Sequence, residues 1–273
     1  MTNSIIRVFP CRTSGTPSDA LAFVGGPPLE RPQADEVHIS VTFTWDKATG
    51  ERLQKAWAQY YPVVHLGGPA YDDPGNGFTP GFYIREGVTF TSRGCNNQCP
   101  WCLVPPREGR LRLLPIVPGN IVNDNNLLQC PREHIEHVFA MLRSQHAIQF
   151  TGGLQASLVT EWVAEEMRSL RIKQVFLAAD TDAALRLLER AIKRLSFLGR
   201  QKLRCYVLLA FNGETMAQGE ARLERVWEMG AMPFAILYQP PERLIEYSHE
   251  WRSLARAWHR GSIMKIVHHA SGN

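Results

Sequence analysis

From Val88 onward the chain alternates short apolar runs with amphipathic stretches, and no other feature constrains its fold as much. V88-T-F-T91, Ala147 to Thr151, Lys173 to Ala178, Leu203 to Ala210 and Pro233 to Tyr238 read as strands, and N-I-V-N-D-N-N-L from Asn120 to Leu127 holds another short one. Helical spacing of apolar residues fills the intervals. Pro131 to Gln145 carries Ile135, Val138, Phe139 and Leu142 on one face. A helix capped by Ser157 would bury Leu158, Trp162, Val163 and Met167; one capped by Thr181 would bury Leu185, Leu188, Ile192 and Leu195. A further helix with Leu223, Val226 and Trp227 ends at Gly230, and Arg243 to Trp258 forms the last. Ile263 to Val267 is a short seventh strand. Near-continuous apolar strands separated by helices predict a parallel sheet covered by helices, an α/β architecture with right-handed crossovers.

The first third is organised differently. Residues 1–36 are rich in Pro, Gly, Ser and Thr and read mostly as extended loop, with a strand near Ile5–Phe9. V37-H-I-S-V-T-F43 suits a strand, Lys47 to Tyr60 a helix with Leu53, Ala56, Trp57 and Tyr60 in register, and Val63 to Leu66 another strand. This is one βαβ unit. The Gly/Pro-rich stretch 67–87 cannot be helix or central strand. The expected organisation is a small N-terminal segment over 1–83 and a core over 84–273.

A length of 273 residues accommodates one large α/β domain with an appendage. No apolar run approaches the roughly 20 residues of a membrane span. The N-terminus lacks the charged start and long apolar run of a secretory signal, so a cytoplasmic location is expected. The net charge of +4 is too mild to mark a nucleic-acid binder.

Chemistry concentrates between Ser92 and Cys102, S-R-G-C-N-N-Q-C-P-W-C. Three of the six cysteines, Cys95, Cys99 and Cys102, fall there at spacing C-x3-C-x2-C. Thiolates packed so closely repel one another unless a positive group holds them, and the candidates are an iron–sulfur cluster or zinc. A closed structural zinc site takes four protein ligands. Three ligands leave one iron of a [4Fe–4S] cubane open to a small molecule. Cys11, Cys130 and Cys205 are scattered and form neither a second motif nor a disulfide framework.

The spacing, with Trp101 just before the last cysteine and the loop directly after the first strand of a βα repeat, resembles the signature of the radical S-adenosylmethionine (radical SAM) enzymes. The resemblance is sharp over 92–102 and extends as a fold over about 85–260. It implies a partial (β/α)6 barrel with its chemistry at the C-terminal ends of the strands. It further implies a [4Fe–4S] cluster on Cys95, Cys99 and Cys102, with the amino and carboxylate groups of SAM on the open iron, and cleavage of SAM by the reduced cluster to methionine and a 5′-deoxyadenosyl radical. Trp101 would lie near the adenine. Two stretches compete to meet the methionine amine. Strand count favours Asp124 and Asn126 at the end of strand two; string similarity favours Gly152-Gly153, with Leu154 where the family's Gly-Gly-Glu segment has glutamate. Asp180, after strand four, could accept from the ribose hydroxyls, or simply cap a helix. F211-N-G-E-T215 resembles the turn after strand five in cobalamin-type and methylthiotransferase members, with Asn for Pro.

The N-terminal segment resembles a truncated Rossmann-like cobalamin-binding domain, but the D-x-H-x-x-G motif is absent and His38 and His65 do not stand in that pattern, so no cobalamin is expected. A flavodoxin- or ferredoxin-like electron donor is implied, and Arg107, Arg110 and Arg112 could face it or an anionic substrate. Cys130 could donate a hydrogen atom, or pack. The substrate is open among small molecule, peptide and RNA. The competing function is a non-catalytic α/β binding protein stabilised by zinc or a cluster, with Cys11, Cys130, Cys205 or a histidine closing the site.

Overall fold

The computed structural model describes residues 4–73, 77–240 and 245–259. These divide into two compact units, 4–88 and 89–240 with 245–259.

The first unit is a four-stranded parallel sheet: β1 (Ile5–Phe9), β2 (Ala22–Val24), β3 (Glu36–Ser40) and β4 (Val64–Gly67), in the order β2-β1-β3-β4, with helix α1 (Lys47–Trp57) between β3 and β4. It is larger than the single βαβ unit expected. The missed strand, Ala-Phe-Val, is too short to carry a period, and its pairing with β1 decides its conformation. Alternation along β1 and β3 sends Ile6, Val8, Val37 and Ile39 to one face, where Leu53 and Trp57 of α1 meet them. Trp57 is fully buried and donates its indole N–H to the Gly25 carbonyl at 3.1 Å. The opposite face of the sheet is polar and carries Arg7, Glu36 and His38.

The second unit is a six-stranded parallel sheet in which spatial order follows chain order: β5 (Val88–Thr89), β8 (Ile121–Val122), β9 (Ile148–Leu154), β10 (Ile172–Ala178), β11 (Leu203–Leu209) and β12 (Met232–Leu237). A two-stranded antiparallel ribbon, β6 (Ser92–Arg93) with β7 (Arg112–Leu113), interrupts the run between β5 and β8, and helix α2 (Val104–Glu108) lies inside it. The crossover helices are α3 (Arg132–Arg143), α4 (Glu161–Arg168), α5 (Asp182–Arg194) and α6 (Met216–Glu228), and α7 (His249–Ala257) follows β12. One core joins sheet and helices, with Phe139 and Leu142 of α3, Met167 of α4 and Leu188 of α5 packed against Phe150, Val175, Leu177 and Val207. Burying each such side chain stabilises the fold by about 1.5–3 kcal/mol.

The strands are less uniformly buried than apolar runs suggest. On β11, Leu203, Cys205, Val207 and Leu209 are buried against the helices, whereas Arg204, Tyr206 and Leu208 are only half-buried on the other face. That face carries an aromatic cluster. Phe176 stacks on Tyr206 at 4.3 Å between centroids, and both meet Phe234 edge-on.

Three boundaries differ from expectation. Ser157 caps no helix; it sits in a 3-10 turn, and Thr160 caps α4 by accepting from the Val163 N–H at 3.3 Å. The last helix begins at His249, capped by Ser248, rather than at Arg243. Arg107 to Gly119, whose Pro and Arg content reads as irregular, holds the end of α2 and the strand β7. Ile263 to Val267 lies outside the described residues, as do Arg243 and Leu244. No helix among the described residues is long and apolar enough to cross a membrane.

Candidate functional site

The residues singled out for the cofactor stand at the carboxyl edge of the six-stranded sheet: the cysteine loop after β5, Asp124 and Asn126 after β8, Gly152 and Gly153 at the end of β9 and Asp180 after β10, with the turn at Phe211 after β11. In a parallel α/β sheet this is the edge at which ligands bind.

The cysteine loop is held at both ends. The ribbon pairs Ser92 with Leu113 and Arg93 with Arg112, so the chain leaves and returns at one point. Gly94 makes the pinch possible. Its φ is +80°, and a Cβ there would stand 2.2 Å from the Arg110 carbonyl oxygen. Inside the loop, Cys95 N–H donates to Gly109 O at 3.2 Å and Cys102 N–H to Cys99 O at 3.0 Å. Arg93 and Glu108 close it further with an ion pair at 2.7 Å.

Backbone amides point at two of the sulfurs. Asn97 N–H lies 3.4 Å from Cys95 Sγ, and Val104 N–H lies 3.5 Å from Cys102 Sγ. Such bonds tune any metal bound to the sulfurs. Other forces oppose ionisation. Burial first, then the charges of Cys102, Asp180 and Cys95, push the Cys99 thiol up. Burial also raises Cys102, against the help of the Val104 amide and with Cys95, Asp180 and Glu108 adding to the rise. Burial thus disfavours bare thiolates at Cys99 and Cys102, and soft sulfur donors in such a setting suit a positively charged metal group.

A network of amide side chains surrounds Cys95. Gln155 Oε1 accepts from Asn97 Nδ2, Asn126 Nδ2 and Gln129 Nε2 at 3.0, 2.9 and 3.1 Å. Gln129 returns to the loop, its Oε1 accepting from Asn96 N–H at 2.8 Å and from the Cys95 thiol at 3.6 Å. Asn126 Nδ2 stands 3.8 Å from Cys95 Sγ. The Asn126 side chain is almost wholly buried, yet its Oδ1 has no hydrogen-bond partner among the described residues. A buried acceptor without a donor is costly unless a ligand supplies one.

Asp124 faces the other way. Its carboxylate, 2% exposed, accepts from Thr91 N–H at 2.7 Å, Thr91 Oγ1 at 2.6 Å and Ser92 Oγ at 2.7 Å. It thereby ties the end of β8 to the two residues that open the cysteine loop. The two competing stretches turn out to be one place. A Cβ on Gly152 would sit 1.8 Å from the Asp124 carbonyl oxygen, so only glycine lets β9 pass there. Gly153, at φ +91°, faces the Tyr206 ring, and Tyr206 donates its hydroxyl to the Thr151 carbonyl at 2.8 Å.

Asp180 is held beside the loop by Trp101, whose side chain hydrogen-bonds its carboxylate; burial nonetheless raises the Asp180 pKa. Trp101 also meets Phe211 edge-on at 5.5 Å, and Phe211 meets Tyr238 at 4.9 Å. The turn at Phe211 is pinned from below. Glu214 accepts the Ala210 N–H at 2.9 Å, and Arg222, almost fully buried, pairs with Glu214 at 2.6 Å. Of the expected basic residues, Arg112 donates to the Glu108 carbonyl at 2.6 Å, while Arg107 and Arg110 are exposed.

The remaining cysteines of this unit lie in the core. Cys205 is completely buried on the helix side of β11. Cys130 is in the same core, with Ser92 and Asp124 as its polar neighbours. Sequence reading missed Asn97, Gln129 and Gln155. Glutamine and asparagine after a strand read as ordinary turn chemistry, and only the fold brings them round one sulfur. Compared with models of known protein families and with curated proteins, the sequence matches none.

Proposed function

We propose that the chain is a radical SAM enzyme, holding a [4Fe–4S] cluster on Cys95, Cys99 and Cys102 and using SAM to start radical chemistry on a substrate yet to be identified. One observation carries the reading: the three cysteines stand on a pinched loop at the carboxyl end of the first of six parallel strands that follow one another in chain order. Sequential order with right-handed crossovers sends every helix to one face and lets the sheet curl into part of a barrel. The bound cluster and SAM would supply reductive cleavage of a carbon–sulfur bond.

The chain's own residues prepare the place. Asp124 and the β6–β7 ribbon fix the loop, and the Asn97 and Val104 amides steady two sulfurs. The Asn126 Oδ1 is the available acceptor for the methionyl ammonium. In this reading Asp180 and Trp101, which are hydrogen-bonded to each other, would meet the ribose and adenine, with Gly152 and Gly153 shaping the neighbouring wall. A flavodoxin- or ferredoxin-like protein would deliver the electron, against a surface that includes Arg107 and Arg110.

The test is purification without oxygen, iron and sulfide analysis, and assay of 5′-deoxyadenosine after reduction with SAM. About four irons and four sulfides per chain with 5′-deoxyadenosine formed would support the reading. Zinc without iron, or a cluster that never cleaves SAM, would overturn it. Cys99→Ala should abolish the visible absorbance of the cluster.

A further inference from the structure

The polar face of the first unit's sheet gathers a second set of metal-binding side chains that the radical chemistry does not use. Glu36 and His38 stand two residues apart on β3 and so share a face. His65 on β4 is in direct register with His38, their rings 5.1 Å apart and perpendicular. One carboxylate oxygen is the meeting point. Glu36 Oε2 lies 2.9 Å from His38 Nε2 and 3.6 Å from His65 Nε2. One ligand atom from each of the three lies within 4.8 Å of the others.

We propose that Glu36, His38 and His65 bind a divalent transition-metal ion of the zinc class through one carboxylate oxygen and two imidazole Nε2 atoms. Two histidines and one carboxylate suit zinc with a fourth position left to water, and the same set binds ferrous iron. A second feature points the same way. The other ring nitrogen of His38, Nδ1, is hydrogen-bonded to the Tyr83 hydroxyl at 2.5 Å. That bond fixes the ring and directs Nε2 toward Glu36, as the outer partner of a metal-bound histidine does. Arg7 stands beside His38 in register on β1, but its guanidinium is turned to Asp19 and to the Phe82 carbonyl, so its charge is committed elsewhere. The open position faces solvent, because the His65 side chain is 61% exposed. The site therefore suits a small anionic or water ligand completing the shell.

The experiment separates this site from the cysteine loop. Full-length protein carrying Cys95→Ser, Cys99→Ser and Cys102→Ser is titrated with Co2+ and then with Zn2+. One equivalent of Co2+ should bind with visible d–d bands and without the thiolate charge-transfer band of a cysteine site, and Zn2+ should displace it. Adding His65→Ala should weaken binding at least about tenfold and remove the rise in Tm that Zn2+ produces. Should the serine variant fail to fold, metal analysis of the oxygen-free wild-type protein against His65→Ala, both dialysed against limiting Zn2+, reads the same difference as one bound zinc. An absence of saturable binding, or equal binding by His65→Ala, would overturn the assignment.

Discussion

Gly152 lies against the main chain of Asp124, so close that a single methyl group on it would overlap the Asp124 carbonyl oxygen, 1.8 Å away. The contact joins the ends of β8 and β9, the two strands whose loops flank Cys95. Gly152→Ala must push them apart, and backbone cannot rotate aside as a side chain can. We expect a loss of about 1–3 kcal/mol and, if the loop holds the proposed cluster, a cluster content well below wild type. Thermal unfolding and iron analysis on the same preparation check this. An unchanged Tm with full iron would show that the strands separate freely.

Asp124 invites a sharper comparison, because strand count brings it forward as a cofactor ligand while its three hydrogen bonds make it the anchor of the loop. Asp124→Asn keeps the shape but removes the charge and turns one acceptor into a donor facing Thr91 or Ser92. Loss of charged hydrogen bonds at a buried site predicts a cost of about 2–4 kcal/mol. The variant should unfold earlier and hold less cluster, yet any cluster it retains should bind SAM with wild-type affinity. The anchoring role fails if stability is preserved and SAM affinity alone falls.

These two residues also mark how far the sequence is legible. The parallel architecture follows from helical and strand periods that burial enforces, which is why α3, β10, β11 and β12 lie within a few residues of expectation. The cysteine loop declares itself by its spacing, three of the six cysteines within eight residues. The strand Ala22–Val24 does not, since three residues carry no period and only pairing with β1 makes them a strand. Nor does the start of α4. Ser157 and Thr160 are equally good caps, and packing of Val159 and Val163 decides between them. Gln129 and Gln155 stand 26 residues apart and meet only through the fold. His38 and His65 likewise become neighbours only through the register of β3 with β4.

Asn126 presents a buried oxygen with no donor among the described residues. If the methionyl ammonium supplies that donor, Asn126→Leu, similar in size, should weaken SAM binding about tenfold, equivalent to about 1.4 kcal/mol. Stability should change little, because Gln155 Oε1 keeps the donors from Asn97 and Gln129. Equilibrium binding of SAM to the cluster-loaded variant measures the effect. A wild-type dissociation constant would assign the oxygen to another partner.

Asp180 carries a stability cost that depends on pH, and the direction follows from burial. Burial raises its pKa in the native state above the unfolded value of 3.8, against the opposing help of hydrogen bonds from Trp101 and the Leu208 backbone and of the Arg222 charge. The folded form therefore holds the proton to higher pH than the unfolded form, and stability falls as pH rises through that window. Above the folded pKa the carboxylate is ionised in both states and the native state bears the full cost; below the unfolded pKa it bears none. Asp180→Asn removes the charge and can still accept from Trp101. The cluster-free variant should therefore melt above wild type at pH 7, and the two should converge as pH drops below about 4. If Asp180 meets the ribose as proposed, the same substitution should also weaken SAM binding, because amide oxygen is a poorer acceptor for hydroxyls than carboxylate. Melting curves at several pH values, set beside SAM affinities, test both halves. A variant less stable than wild type at neutral pH would mean that the Trp101 and Arg222 interactions outweigh burial, and the carboxylate would then be a structural tie.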